Sequence, residues 1–132
     1  MVRSSDFGIF HLTPFRGTSA DAGTCVELGL MYALGKPLFG YTNLAGDYIA
    51  RVTPRQAADS PLGPGQSDEN GCHVEDFGNA DNLMIDSALS LAGAEMVRTD
   101  VPLQLRLTDL TGFKRCLELA KALFAAHDKK KC

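Results

Sequence analysis

Two short apolar runs, DFGIFHL at residues 6–12 and PLFGYTN at 37–43, flank a helix-forming segment, AGTCVELGLMYALG, at 22–35. Both runs are rich in strand formers. Between them, Asp21 is a natural helix N-cap. Gly35-Lys36-Pro37 places glycine and proline where a helix stops. Strand, helix and strand in such quick succession make a βαβ unit, whose crossover dictates a parallel sheet. Downstream, NADNLMIDSALSLAG at 79–93 reads as a second helix with Asp81 near its start, and AEMVR at 94–98 as another strand. A last helix is expected over about 108–127, with Leu110, Phe113, Leu117, Ala120 and Phe124 as its apolar stripe. The predicted architecture is α/β, with helices covering a parallel sheet. Such folds bind ligands at the carboxyl ends of their strands, and the loop leading from the first strand into Asp21 and Glu27 lies at that edge.

A length of 132 residues is that of one domain, residues 1–132, with room for a real core. With 45% hydrophobic and 22% charged residues the chain has the composition of an ordinary soluble protein. A net charge of −3 provides no electrostatic footprint for nucleic acid or an anionic membrane. The Lys-rich end at 128–132 reads as a solvated tail. The N-terminus has no long apolar segment, so neither a signal peptide nor a membrane span is expected. Cys25, Cys72, Cys116 and Cys132 are scattered without a C-x-x-C pair, which points to a reduced, cytoplasmic protein. His11, His73 and His127 lack metal-ligand spacing, so no metal and no cofactor is expected. Residues 53–72, dense in Pro, Gly, Ser and Asp, are either an active-site flap or a disordered loop.

Glu27 is the only charged residue in 22–35. On a helix it shares a face with Leu30, Met31 and Leu34. A carboxylate on a buried apolar face requires a partner, a hydrogen bond or a cavity. At a cavity it serves as general base, general acid or nucleophile. Asp21 precedes it by about 9 Å along a helix axis, comparable to the span from a sugar carbon to the far side of an attached base. Simpler roles compete with these. Glu27 can bond to a backbone turn, Asp21 and Asn82 can merely cap helices, and Phe15 and Phe77 can fill a core instead of stacking on a base. Met84 is expected as packing. Glu75 and Asp76 read as a solvated acidic corner, Arg16 as a ligand contact or surface pair, and Gly17, Gly23 and Gly29 as backbone requirements.

LTPFRGTSADAGTCVELGLMYALGKPLFGYTN at 12–43 and VEDFGNADNLM at 74–84 resemble the nucleoside 2-deoxyribosyltransferases. PFRG, D-x-G-T-x-x-E-x-G, A-x-G-K-P and a closing N-L-M follow in the family's order between Asp6 and Met84. The resemblance implies a flavodoxin-like fold and a homo-oligomer with active sites shared between subunits. It also implies exchange of the base on 2′-deoxyribonucleosides in nucleotide salvage, with deoxyribonucleosides and free nucleobases as partners. Position by position, Glu27 falls on the nucleophile that forms a deoxyribosyl ester, and Asp21 on the acid that assists the base. Asn82 falls on an amide that a neighbouring subunit donates to the sugar's 5′-hydroxyl. Phe15, Gly17, Gly23, Phe77 and Met84 are the candidate substrate-binding surroundings. The family pattern also contains an N-terminal central strand and a further strand before the point where Met1 aligns. The expectation is therefore a truncated chain lacking the N-terminal strand or strands. Asn79-Ala80 stands where the family more often has an apolar residue followed by Pro or Ala. A hydrolase splitting the N-glycosidic bond of deoxynucleosides or their 5′-monophosphates, and a non-catalytic nucleoside-binding remnant, are the alternatives.

Overall fold

The computed structural model describes residues 2–52, 67–68 and 70–129. Most of the 53–72 loop and the end of the Lys-rich tail lie outside the described residues. Three strands, β1 (Gly8–His11), β2 (Leu38–Thr42) and β3 (Val97–Arg98), form one parallel sheet in the order β1-β2-β3. Gly8 to His11 stand opposite Leu38 to Tyr41, while Tyr41 and Thr42 stand opposite Val97 and Arg98. Helices α1 (Ala22–Ala33), α2 (Tyr48–Val52), α3 (Leu83–Leu91) and α4 (Thr111–Lys129) connect or follow the strands. The expected βαβ unit is present. Chain order equal to spatial order matches the 3-4-5 half of the flavodoxin-like order 2-1-3-4-5.

Alternation along the strands builds two cores. On one side, Phe10, Leu12 and Leu38 meet Leu28 and Met31 of α1 and Ile85 and Leu89 of α3. On the other, Phe39, Tyr41 and Val97 meet Cys116 and Ala120 of α4. Each large apolar side chain so buried stabilises by roughly 1.5–3 kcal/mol. All five residues of β2 are buried, as a strand covered on both faces must be.

α4 keeps Ala120 of the expected stripe in the core and corrects the rest. Leu110 and Phe124 are exposed and Phe113 and Leu117 only half-buried, while Gly112, Cys116 and Ala120 face the sheet. Small residues take that side because the helix lies close. A Cβ at Gly112 would stand 2.6 Å from Tyr41 Cδ2, and the Cys116 thiol reaches the Gly40 carbonyl at 3.6 Å.

The helix ends follow the sequence signals. Gly35, at φ 63°, terminates α1, and Gly93, at φ 82°, follows α3. Lys36 completes the first stop by donating from Nζ to the carbonyls of Val2, Arg3 and Ser5, which ties the start of the chain to the α1–β2 turn.

Candidate functional site

His11, Thr42 and Arg98 end the three strands at one edge of the sheet. Thr13 links the first two strand ends. Its hydroxyl accepts from the Asn43 backbone N–H at 2.9 Å and bonds His11 Nε2 at 2.7 Å. The His11 ring stacks on Tyr41 at 4.6 Å, and burial pushes its pKa down. Asn43, fully buried, donates from Nδ2 to the carbonyls of Arg106 and Asp109. The edge is thus a braced platform. Neither Thr42 Oγ1 nor Asn43 Oδ1 finds a hydrogen-bond partner among the described residues.

Above this platform Asp21 caps α1, its Oδ2 accepting from the N–H groups of Gly23 at 3.1 Å and Thr24 at 3.4 Å. Glu27 lies six residues further on, about 9 Å along the axis. The structure corrects its expected burial. Glu27 is exposed, and so are Val26, Leu30 and Leu34 beside it, whereas Leu28 and Met31 face the core. The helix is apolar nearly all round, so hydropathy alone does not reveal which side meets the sheet. Glu27 makes no ion pair or side-chain hydrogen bond with another described residue.

The organising group is a buried carboxylate that no local sequence signal marks. Asp81 is 1% exposed. Its Oδ1 accepts from the Ser19 hydroxyl and from the Asn82 N–H at 2.8 Å. Its Oδ2 accepts from the Ala20 N–H at 3.0 Å and from Arg51 Nη2 at 3.4 Å. Arg51 also donates to the carbonyls of Thr18 at 3.1 Å, Gly46 at 3.2 Å and Ala80 at 2.6 Å. Burial pushes the Arg51 pKa down, and the Asp81 charge opposes that shift. Asp86 closes the turn by accepting from the N–H groups of Ala80 and Asp81.

Asn82 caps α3, its Oδ1 accepting from the Met84 N–H at 3.0 Å. Glu75, expected as a solvated corner, instead accepts from the Leu83 N–H at 2.7 Å and from Asn82 Nδ2 at 3.4 Å. Asp81 and Glu75 thus fix the approach to Asn82 from two sides.

The sequence pattern of the nucleoside 2-deoxyribosyltransferases matches residues 1–84, which include every one of these groups except Asp86, Arg98, Arg106 and Asp109. The chain belongs to the nucleoside 2-deoxyribosyltransferase family. An uncharacterized protein of Schizosaccharomyces pombe is 36% identical over 110 residues, covering 75% of this chain and 52% of that protein. The chain therefore spans about half the length of this curated relative. Among solved structures, a 2-desoxiribosyltransferase from Leishmania mexicana aligns with a TM-score of 0.49 at 26% identity, over 83% of this chain and 60% of that one.

The remaining candidates for a deoxyribosyltransferase site divide by exposure. Phe15, Phe77 and Met84 are 51%, 69% and 74% exposed, so none fills a core or serves as packing here. The Arg16 guanidinium lies over the Phe15 ring at 5.2 Å. A Cβ at Gly17 or Gly29 would meet nothing within 4 Å, so neither glycine is demanded by close approach within the described chain. A Cβ at Gly23 would stand 3.1 Å from the Asp21 carboxylate, so this glycine leaves the cap its space. A cavity of about 500 Å³ between the start of β2, residues 92–98 and α4 is lined by none of Asp21, Glu27 and Asn82. No group of three or more His, Cys, Asp or Glu side chains among the described residues is arranged to hold a metal ion. No helix among them is long and apolar enough to cross a membrane.

Proposed function

We propose that the protein exchanges the base of 2′-deoxyribonucleosides through a deoxyribosyl ester on Glu27. A Glu27 carboxylate oxygen attacks C1′ as the C1′–N bond breaks, and the base leaves with the bonding electron pair. Asp21 supplies or shares the proton that makes the base a better leaving group. A nitrogen of a second base then attacks C1′ and expels the carboxylate. Two inversions leave the configuration unchanged. Asn82, from a neighbouring subunit of a homo-oligomer, holds the 5′-hydroxyl so that C1′ meets the carboxylate in line.

The observation that carries this reading is the family match across residues 1–84, within which Asp21 caps and Glu27 belongs to the helix that follows the first strand. The uncovered apolar side of α1 supports the oligomer. Val26, Leu30 and Leu34 surround Glu27, and a second subunit seated there would exclude water from the ester. Glu27's exposure in the single chain favours one competing outcome, hydrolysis of that ester to free deoxyribose.

Deoxyinosine incubated with free adenine distinguishes these outcomes. Deoxyadenosine marks transfer, free sugar without it marks hydrolysis, and no turnover marks a remnant. Glu27→Ala should abolish both products and the pentose mass adduct on peptide 22–35. Full exchange by Glu27→Ala would refute the nucleophile assignment.

A further inference from the structure

From the contacts around Asp81 we infer that the Arg51–Asp81 pair is a positioning device, holding the loop that carries Asp21 against the turn from which Asn82 is offered to the neighbouring site. Its role in catalysis rests on the reading of Asp21, Glu27 and Asn82 given above; its mechanical role rests on geometry alone.

Four segments converge on the pair. Thr18, Ser19 and Ala20, the residues immediately before Asp21, give it a carbonyl, a hydroxyl and an N–H. Ala80 and Asn82, on either side of Asp81, give a carbonyl and an N–H. Gly46, in the loop after β2, gives a carbonyl, and α2 supplies Arg51 itself. A second pair ties neighbouring segments: Arg98 Nη1 meets Asp47 at 2.6 Å and Nη2 donates to the Gly78 carbonyl at 2.6 Å.

The charge state of this pair matters because of its donors. Every hydrogen bond to the Asp81 carboxylate comes from a donor, and every hydrogen bond made by the Arg51 guanidinium goes to an acceptor. An amide in place of the carboxylate turns one acceptor oxygen into a donor, which then faces the Ala20 N–H and Arg51 or the Ser19 hydroxyl and the Asn82 N–H. A lysine in place of Arg51 has the charge but not the planar fork that spans several carbonyls. Arg51 and Asp81 are positioning residues, since neither is placed against the sugar or the base.

The test uses the full chain carrying Asp81→Asn or Arg51→Lys, with residue-resolved amide exchange by NMR as the primary readout. In Asp81→Asn the N–H groups of Ala20, Gly23, Thr24, Asn82 and Met84 should exchange at least tenfold faster, while those of Cys116 and Ala120 in α4 change less than twofold. Arg51→Lys should give the same pattern at smaller amplitude, and it decides the matter should Asp81→Asn not fold. Base exchange on deoxyinosine should lose at least thirtyfold in kcat with KM within threefold of wild type. Wild-type exchange rates at these five amides in a folded variant would overturn the inference. So would acceleration spread equally into α4, which signals general destabilisation. A wild-type chain that exchanges no base would sink the functional reading, whereas the amide pattern would still decide the positioning role.

Discussion

Replacing Gly112 by alanine should destabilise the protein, whereas the same substitution at Gly29 should stabilise it. Both glycines are helical, so both changes gain up to about 1 kcal/mol of helix propensity, with less at Gly112 because it lies in the first turn. Their surroundings differ. A Cβ at Gly112 would stand 2.6 Å from Tyr41 Cδ2 and 3.0 Å from its Cβ and Cγ. Tyr41 has little freedom to yield, with His11 stacked at 4.6 Å and Phe113 edge-on at 6.4 Å. Forcing in that methyl costs about 1–3 kcal/mol, so the net is about 1.5 kcal/mol of destabilisation. A Cβ at Gly29 meets nothing within 4 Å, and only the propensity gain remains. For 132 residues the unfolding entropy is about 0.28 kcal/mol/K. Thermal unfolding followed by circular dichroism should therefore show Tm falling by about 5 °C for Gly112→Ala and rising by about 3 °C for Gly29→Ala. A rise in Tm for Gly112→Ala comparable to that for Gly29→Ala would refute the close approach of α4 to β2.

At Asp21, asparagine preserves the cap and alanine removes it at a cost of about 1 kcal/mol. Asp21→Asn should keep its Tm within about 1 °C yet lose about 100-fold in base exchange, whereas Asp21→Ala should lose both; full exchange by Asp21→Asn would exclude the acid role. Burial pushes the Cys116 thiol up to about 11, so at pH 8 iodoacetamide should label exposed Cys72 and leave Cys116 unmodified until the protein unfolds, as read by peptide mass. For His11, burial holds the folded-state pKa below its ordinary value of 6.5. The unfolded chain thus takes up a proton that the folded chain resists, and stability should decline as pH falls below about 6.5. Urea midpoints at pH 7.5 and 5.5 should differ less in His11→Gln than in wild type.

The backbone plan was largely legible because it rests on local chemistry. Asp21 as a cap, Gly35 as a stop and the βαβ unit each follow from a few adjacent residues. The facing of the helices was not, because it depends on what lies opposite. Of the stripe predicted for α4, Ala120 fits against the sheet, but the bulky Leu110 and Phe124 do not, and Gly112 and Cys116 take their place beside Tyr41 and Phe39. In α1 the residues around Glu27 are as greasy as those facing the sheet, and only the structure shows which side is covered. Asp81 read as one more acid at a helix start. Its partners Ser19 and Arg51 lie 62 and 30 residues away, and no local pattern announces such a meeting. The short helix α2 has no local signal either, since its Arg51 is fixed by distant carbonyls.

The Arg51–Asp81 pair takes on a wider meaning in an assembly where Asn82 reaches into a neighbour's pocket. Asp21 and Glu27 then work on their own chain's nucleoside, while Asn82, welded to the same carboxylate through one backbone step, works on the neighbour's. A shift in one cavity would pull on the hinge of the other. Filling one pocket would alter affinity at the second, and by linkage the influence would run equally in both directions.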